Sequence, residues 1–368
     1  MSGQYNMFGH PVQDLDTPIL LADLDKLERN IETMRRVIIS EAGINWRPHT
    51  KGIKIPVLAH KLLQAGACGV TCAKLSEAEV MVVAGVRDIL IANQVVGISK
   101  IRRLVNLLHH ADVIVAVDCE EHLTSLNDAA LEASCVLQVV IEVNMGINRA
   151  GVEPGKPVVS LAQQIVACKG LRFAGIMGWE GHTTAIRNPD EKQKAIKMAV
   201  NQFTASSEMC VAAGIPVKIV SCGGTGTYWI TSKMKGVTEV QAGGGIFCDI
   251  NYRKNFGVMH EYALTILTTV ISRPTPTRSS CDAGWKSMSE YLAPPEPLDL
   301  GEIKRLKLGS EHTTIELSTK SSVPRVGDKV EFVPGWSDTT IFLHDHLYGV
   351  RNGHLEVIWP IWGRGKTM

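Results

Sequence analysis

Between residues 17 and 250, short β-branched runs alternate with amphipathic helical runs, and this alternation limits the fold more than any other feature of the chain. "TPILLAD" reads as a strand; "LDKLERNIETMRRVII" follows it with Leu24, Leu27, Ile31, Met34 and Ile38 at helical spacing. Further strands are predicted at "INWRP", "CGVTC", "DILIAN", "VIVAVD", "VLQVVIEVN", "LRFAGIMG", "VKIVS" and "TEVQAG", with helical runs at 55–65, 76–85, 98–109, 155–168 and 189–213. Ser76-x-x-Glu79 reads as a capping box for one of them. Such alternation predicts a parallel sheet covered by helices.

The count is nine strands, one more than a (β/α)8 barrel needs. The first, "TPILLAD", is the expected surplus, free to join a second domain. Barrel strand 1 is then "INWRP", and strands 7 and 8, "VKIVS" and "TEVQAG", each run into glycines, "SCGGTGTY" (221–228) and "QAGGGIF" (241–247). Loops after strands 7 and 8 of such barrels commonly bind phosphate, and glycine lets backbone N–H groups approach an anion. A doubly wound sheet would carry its phosphate glycines after the first strand, and this first strand has none. Beyond about residue 260, proline-rich connections separate short alternating strands, and "VRNGHLEVIW" reads as a hairpin closed by Asn352-Gly353. The expected division is a barrel over 24–260 and a β domain built from 1–23 with 261–368.

Composition excludes several classes. Lys+Arg (38) and Asp+Glu (37) nearly cancel, so no basic stripe points to nucleic acid and no polybasic tail to a membrane surface. The polar N-terminus does not read as a signal peptide, and no apolar run is long enough to span a bilayer. Nine scattered cysteines without a CxxC read as reduced thiols of a cytoplasmic protein.

The polar oddities all fall just after barrel strands, on the face where such barrels hold their active sites. "NWRPHTKGIKIP" (45–56) sets Arg47, His49, Lys51 and Lys54 close together after strand 1. Arg149 follows strand 5; Trp179, Glu180 and His182 follow strand 6. Alone, Lys51 reads as a surface lysine in a βα loop. Combined with glycine phosphate loops, it suggests a phosphorylated aldehyde held by the lysine amine, which pyridoxal phosphate fits.

The segments "RPHTKGIKIP", "NRAGV", "SCGGTGTY", "EVQAGGGIFCD", "DAGWKS", "SEH" and "LHDHLYGVRNGHLEVIWPIWGRG" resemble the D-threonine aldolase / D-serine dehydratase family, from about Asp16 to Gly365. The resemblance implies the alanine-racemase-like fold, a homodimer whose partner β domain completes the site, and pyridoxal phosphate on Lys51, with His49 as a further catalytic candidate and Trp179 among the cofactor-binding residues. It implies Arg149 at the cofactor ring and phosphate loops at Gly223, Gly224, Thr225, Gly226 and Thr227 and at Gly243, Gly244 and Gly245. Lys54 matches a commonly basic position and reads as a solvated turn residue.

The implied reaction is retro-aldol cleavage of a D-β-hydroxy-α-amino acid to glycine and an aldehyde. A D-serine or D-3-hydroxyaspartate dehydratase, and a non-catalytic pyridoxal-phosphate-binding protein, are the alternatives. The family's divalent-metal segment "PxHxDPT" is here "PGWSDTT": Asp338 remains, but Trp336 replaces the histidine, and Ala185 stands where the family has another histidine. Either His182 and Asp338 form a rearranged metal site, or the metal is dispensed with. His182 can also serve as a catalytic base or simply line the pocket. His312 and the "LHDH" residues His344, Asp345 and His346 are further candidate ligands, with Glu311 and "LHD" read as structural.

Overall fold

The computed structural model describes residues 8–368. The chain forms two compact units, one comprising the residues through Ile31 with Gly244–Gly365, the other Glu32–Gly243 with Lys366–Met368. The strands in chain order are β1 (Ile19–Asp23), β2 (Asn45–Trp46), β3 (Val70–Cys72), β4 (Asp88–Gln94), β5 (Asp112–Val117), β6 (Leu137–Val143), β7 (Leu171–Gly178), β8 (Ile219–Cys222) and β9 (Glu239–Val240). Helices α1 (Leu24–Arg35), α2 (Pro56–Gln64), α3 (Leu75–Val83), α4 (Ile98–Leu107), α5 (Glu120–Glu132), α6 (Lys156–Ala167) and α7 (Pro189–Ala212) lie between them.

Strands β2–β9 make one parallel sheet in the order β2-β9-β8-β7-β6-β5-β4-β3. Its two ends meet: Cys68 N–H donates to the Trp46 carbonyl and Thr71 N–H to the Pro48 carbonyl, both at 2.9 Å, which closes the (β/α)8 ring. Leu90, Ile114, Ala116 and Val140 from adjacent strands pack with Ala174 and Met177 in one buried cluster, each large side chain contributing about 1.5–3 kcal/mol by leaving water.

Arg47, the first basic group of the opening motif, is structural. It is buried, its Nε donates to Glu239 Oε2 at 2.9 Å, and it also pairs with Asp88. Ser221 Oγ donates to the other Glu239 oxygen at 2.7 Å. Asp88 and Glu239 open β4 and β9, so this group staples the end of the barrel opposite the strand C-termini, where polar pairs serve stability.

The expected capping box is shifted. Helix α3 starts at Leu75, and Glu77 Oε2 accepts the N–H groups of Ala73 (2.9 Å) and Lys74 (3.2 Å). Ser76 already lies inside the helix, and Glu79 pairs with Arg103 at 2.5 Å.

In the other unit the strands are β10 (Leu264–Thr275), β11 (Arg278–Cys281), β12 (Glu296–Pro297), β13 (Ile303–Leu308), β14 (Thr313–Leu317), β15 (Lys329–Val333), β16 (His346–Arg351) and β17 (His354–Pro360). They form a mostly antiparallel sheet that takes in β1, antiparallel to β10 and parallel to β16. The surplus strand is therefore outside the barrel. Asn352 (φ 48°) and Gly353 (φ 73°) turn β16 into β17, the positive dihedrals an Asn-Gly hairpin supplies. Among the described residues no helix is long and apolar enough to cross a membrane.

Candidate active site

The polar groups after the barrel strands assemble around Trp179. Residues Thr50–Gly52 make a single 3-10 turn directly after the β2 segment, and Lys51 sits in it half-buried. Its ammonium lies 5.4 Å from the centroid of the Trp179 ring, and the Arg149 guanidinium carbon lies 5.9 Å from that same ring. Both distances are in the range where a cation is drawn to an indole face. The two residues that the sequence resemblance puts on the cofactor, 98 positions apart in the chain, are thus gathered by one side chain.

His49 Nδ1 accepts the Lys51 N–H at 3.3 Å, which leaves Nε2 to carry the ring proton. Burial holds its pKa well below the usual histidine range, and the positive charges of Lys51, Lys54 and Arg149 lower it further. His49 is a neutral imidazole at working pH. Lys54 differs from the sequence reading. It is buried at φ 57° and ion-paired with the equally buried Glu77, the carboxylate that caps α3, because a lysine turned inward here needs a countercharge.

The glycine loop after β8 is organised from below by Glu180, which is fully buried. Glu180 Oε2 accepts Gly223 N–H at 3.2 Å; Oε1 accepts the hydroxyls of Thr227 at 2.7 Å and Thr231 at 2.5 Å. Gly224 N–H donates to Thr227 Oγ1 at 3.1 Å. Two of the loop's backbone donors are therefore spent in shaping it. A Cβ on Gly224 would stand 2.9 Å from Trp179 Nε1, so this glycine lets the loop close onto the indole. Glycine at 243 is required for another reason: its Cβ would fall 2.2 Å from the His49 carbonyl oxygen.

His182, on a 3-10 turn after β7, is exposed, and its ring lies over Gly146 (φ 108°), where a Cβ would come within 2.7 Å of His182 Cε1. It is thereby set against the loop that carries Arg149. Arg149 itself reaches Glu142 Oε1 at 3.4 Å. Glu142, Gln94 and Asp118, joined by hydrogen bonds of 2.6 and 3.2 Å from Gln94, were not singled out from the sequence. The available signal is a polar residue at or next to the C-terminal end of each of three apolar strands, Gln94 in β4, Asp118 just after β5 and Glu142 in β6. The ligating atoms of Asp118, Cys119 and His122 lie within 4.8 Å of one another. Asp118 is also engaged by Gln94 and by Gly151 N–H at 2.9 Å.

The remaining candidates belong to the other unit. Gly244–Ile246 form a 3-10 turn in which the Gly245 carbonyl accepts His260 Nδ1–H at 2.7 Å. Trp336 caps the short helix Ser337–Thr340 and lies 5.5 Å from the Tyr291 ring; among the described residues its indole N–H is buried without a hydrogen-bond partner. Asp338 is in the first turn of that helix, and Asp249 accepts Ser337 N–H and Oγ–H, both at 2.8 Å. Burial, reinforced by the charge of Asp338, pushes Asp249 up to about 7. His344 Nε2–H donates to the Ser287 carbonyl at 2.7 Å, Asp345 pairs with Arg364 at 2.5 Å, and Glu311 pairs with Lys286, all structural uses. His312 and His346 are exposed.

Residues 22–250 match the alanine racemase N-terminal domain family, and residues 263–350 match a D-serine dehydratase-type domain. The chain is 33% identical to D-threonine aldolase of an Arthrobacter species, over 97% of this chain and 95% of that one. The chain belongs to the D-threonine aldolase family. Within that family it is 34% identical to 3-hydroxy-D-aspartate aldolase of Paracoccus denitrificans, over 97% of this chain and 94% of that one. The solved D-threonine aldolase of Filomicrobium marinum superposes with a TM-score of 0.94 at 34% identity, covering 98% of this chain and 99% of that one.

Proposed function

We propose that the protein is a pyridoxal-phosphate-dependent aldolase that cleaves a D-threonine-like D-β-hydroxy-α-amino acid to glycine and an aldehyde. The observation that carries this reading is the convergence of Lys51 and Arg149 on Trp179 at the C-terminal mouth of the barrel; family membership over nearly the whole chain supports it. The donor set suits the cofactor. Lys51 offers a primary amine for the aldehyde, Arg149 a guanidinium for the ring, and the Gly223–Thr227 loop with Gly243 a glycine cradle for the phosphate. Bound there, pyridoxal phosphate supplies an electron-withdrawing ring for the electron pair left when the Cα–Cβ bond breaks.

This chain's residues supply the rest. Trp179 walls the site, with both cations within reach of its ring. Neutral His49 fixes the Lys51 turn through its Nδ1 without adding a positive charge. His182, exposed on the mouth, takes the proton from the substrate β-hydroxyl oxygen as that oxygen becomes the aldehyde carbonyl. A homodimer accords with the fold type that the sequence resemblance implies. The reading is tested with the enantiomers of threonine: the protein supplied with cofactor should release glycine from D-threonine and leave L-threonine intact. Equal release from both, or from neither, would contradict it.

Gly224→Val tests the cradle. The added side chain meets Trp179, so cofactor affinity is expected to fall on the order of tenfold or more in a protein that still folds. Unaltered retention on dialysis would remove the loop from the site.

The residues do not fit a tightly held metal at the family's position. Trp336 has an indole where the resemblance puts a histidine, and an indole donates a hydrogen bond but ligates nothing. Asp338 is the one ligating side chain that "PGWSDTT" keeps, and a single carboxylate leaves most of a divalent ion's coordination sphere unfilled. Chelation is therefore expected to leave activity within about twofold of its starting value, since the proton transfer assigned to His182 needs no ion. A stoichiometric metal in the purified protein, with activity lost on its removal, is the opposing result.

A further inference from the structure

Arg149 sits on the loop 144–152, with more than half of its side chain in solvent. A long cation so placed would sample many positions unless something held it. Two anchors do. Its Nη2 reaches Glu142 Oε1 at 3.4 Å, and two residues further on, Gly151 N–H donates to Asp118 Oδ2 at 2.9 Å. One carboxylate thus holds the head of the arginine and a second holds the backbone beside it. Gly151 has φ 98°, and a Cβ there would stand 2.7 Å from Asn144 N, so the loop turns tightly against its own base.

Both anchors depend on one amide. Gln94 Nε2 donates to Glu142 Oε2 at 2.6 Å and to Asp118 Oδ2 at 3.2 Å. Its two protons satisfy two carboxylates that would otherwise repel across a partly buried gap. By taking Oε2, Gln94 leaves Glu142 Oε1 turned toward Arg149. Gln94 itself ends β4, a rigid barrel strand, whereas Arg149 is on the loop. His122 Nδ1 lies 3.1 Å from Asp118 Oδ1 and accepts the Asp118 backbone N–H at 3.4 Å.

We propose that Gln94 is a positioning residue for Arg149, acting through Glu142 on the guanidinium and through Asp118 on the loop backbone. The inference rests on the reading that Arg149 touches the cofactor. It goes further in assigning the accuracy of that contact to a side chain on a different strand, which itself touches neither cofactor nor substrate.

The test is a double-mutant cycle on cofactor binding, read from the absorbance of bound pyridoxal phosphate as dialysed protein is titrated with it. Gln94→Glu puts a third carboxylate against the first two and is expected to raise the Kd on the order of tenfold; Gln94→Met, which removes the donors without adding charge, about threefold. Gln94→Met also serves if the charged variant fails to fold. In an Arg149→Ala background the same Gln94→Met change should alter the Kd by less than about twofold, because the group it positions is gone. Full additivity of the two substitutions, or an unchanged Kd in both Gln94 variants, would overturn the inference while leaving the functional reading intact. A parent protein that takes up no pyridoxal phosphate would overturn both.

Discussion

Lys51→Ala is expected to lower D-threonine cleavage by at least about a thousandfold, because the amine that captures the cofactor aldehyde has no substitute at that position. The expectation is specific to Lys51, and Lys54 three residues on provides the control. Lys54 is buried in an ion pair with Glu77, while the Lys51 ammonium lies near the Trp179 ring beside Arg149. Borohydride reduction of the cofactor-loaded protein, followed by peptide mapping, should therefore place the label on Lys51. Label on Lys54 or Lys74, or a Lys51→Ala protein that still turns over, would be the wrong result for this site. Lys54→Met should instead act through stability, since it leaves Glu77 buried without its countercharge, a loss on the order of 3–5 kcal/mol.

The second large effect is expected from the smallest substitution. Gly243→Ala places a Cβ 2.2 Å from the His49 carbonyl oxygen and 2.7 Å from the His49 nitrogen. Both are backbone atoms, and that backbone is tied to the next strand by His49 N–H donating to the Gln241 carbonyl at 3.0 Å. Neither side can yield cheaply, so one methyl group should cost about 3 kcal/mol or more, the upper range for overpacking a close-packed site. The displaced segment carries the Lys51 turn, so cofactor capture should fail together with stability. A melting curve and the borohydride label measured on one preparation would show it. A variant as stable and as well labelled as the parent would mean that the close approach of β9 to the β2 segment is not required. Gly301, by contrast, has nothing within 4 Å of the position its Cβ would take, and alanine there should be neutral.

These two positions show why part of the site was legible in the sequence. Barrel strands announce themselves as apolar runs of fixed length, and the glycines after β8 and β9 stand out because nothing else tolerates such close backbone approach. The excess ninth strand likewise pointed to β1 leaving the barrel for the other sheet, where it pairs with β10 and β16. What sequence spacing did not reveal were partnerships between distant residues. Four basic groups in "NWRPHTKGIKIP" look alike in one dimension. The fold sends Arg47 to Glu239 and Asp88, Lys54 to Glu77, and Lys51 toward Trp179, so that only the last is disposed toward the proposed chemistry. Lys54 read as solvated because its partner lies 23 residues away on α3, beyond any local rule. Glu180 was conspicuous, yet its role as the support of the glycine loop depends on Thr227 and Thr231, whose hydroxyls turn toward it only once the loop is folded. The Gln94–Glu142–Asp118 network is hidden in the sequence for the same reason: its members lie at or next to the ends of three separate strands, and nothing in their spacing connects them.

The measurement closest to the central claim is a product balance on D-threonine. Purified protein with pyridoxal phosphate is incubated with D-threonine, and glycine, acetaldehyde, 2-oxobutanoate and ammonia are each quantified over time. Retro-aldol cleavage at the Lys51 site predicts glycine and acetaldehyde in equal amounts, rising together, with no keto acid and none of either product from the Lys51→Ala variant. Ammonia and 2-oxobutanoate in equal amounts, without glycine, would mean that the enzyme breaks the Cβ–O bond in place of Cα–Cβ, and would contradict the account.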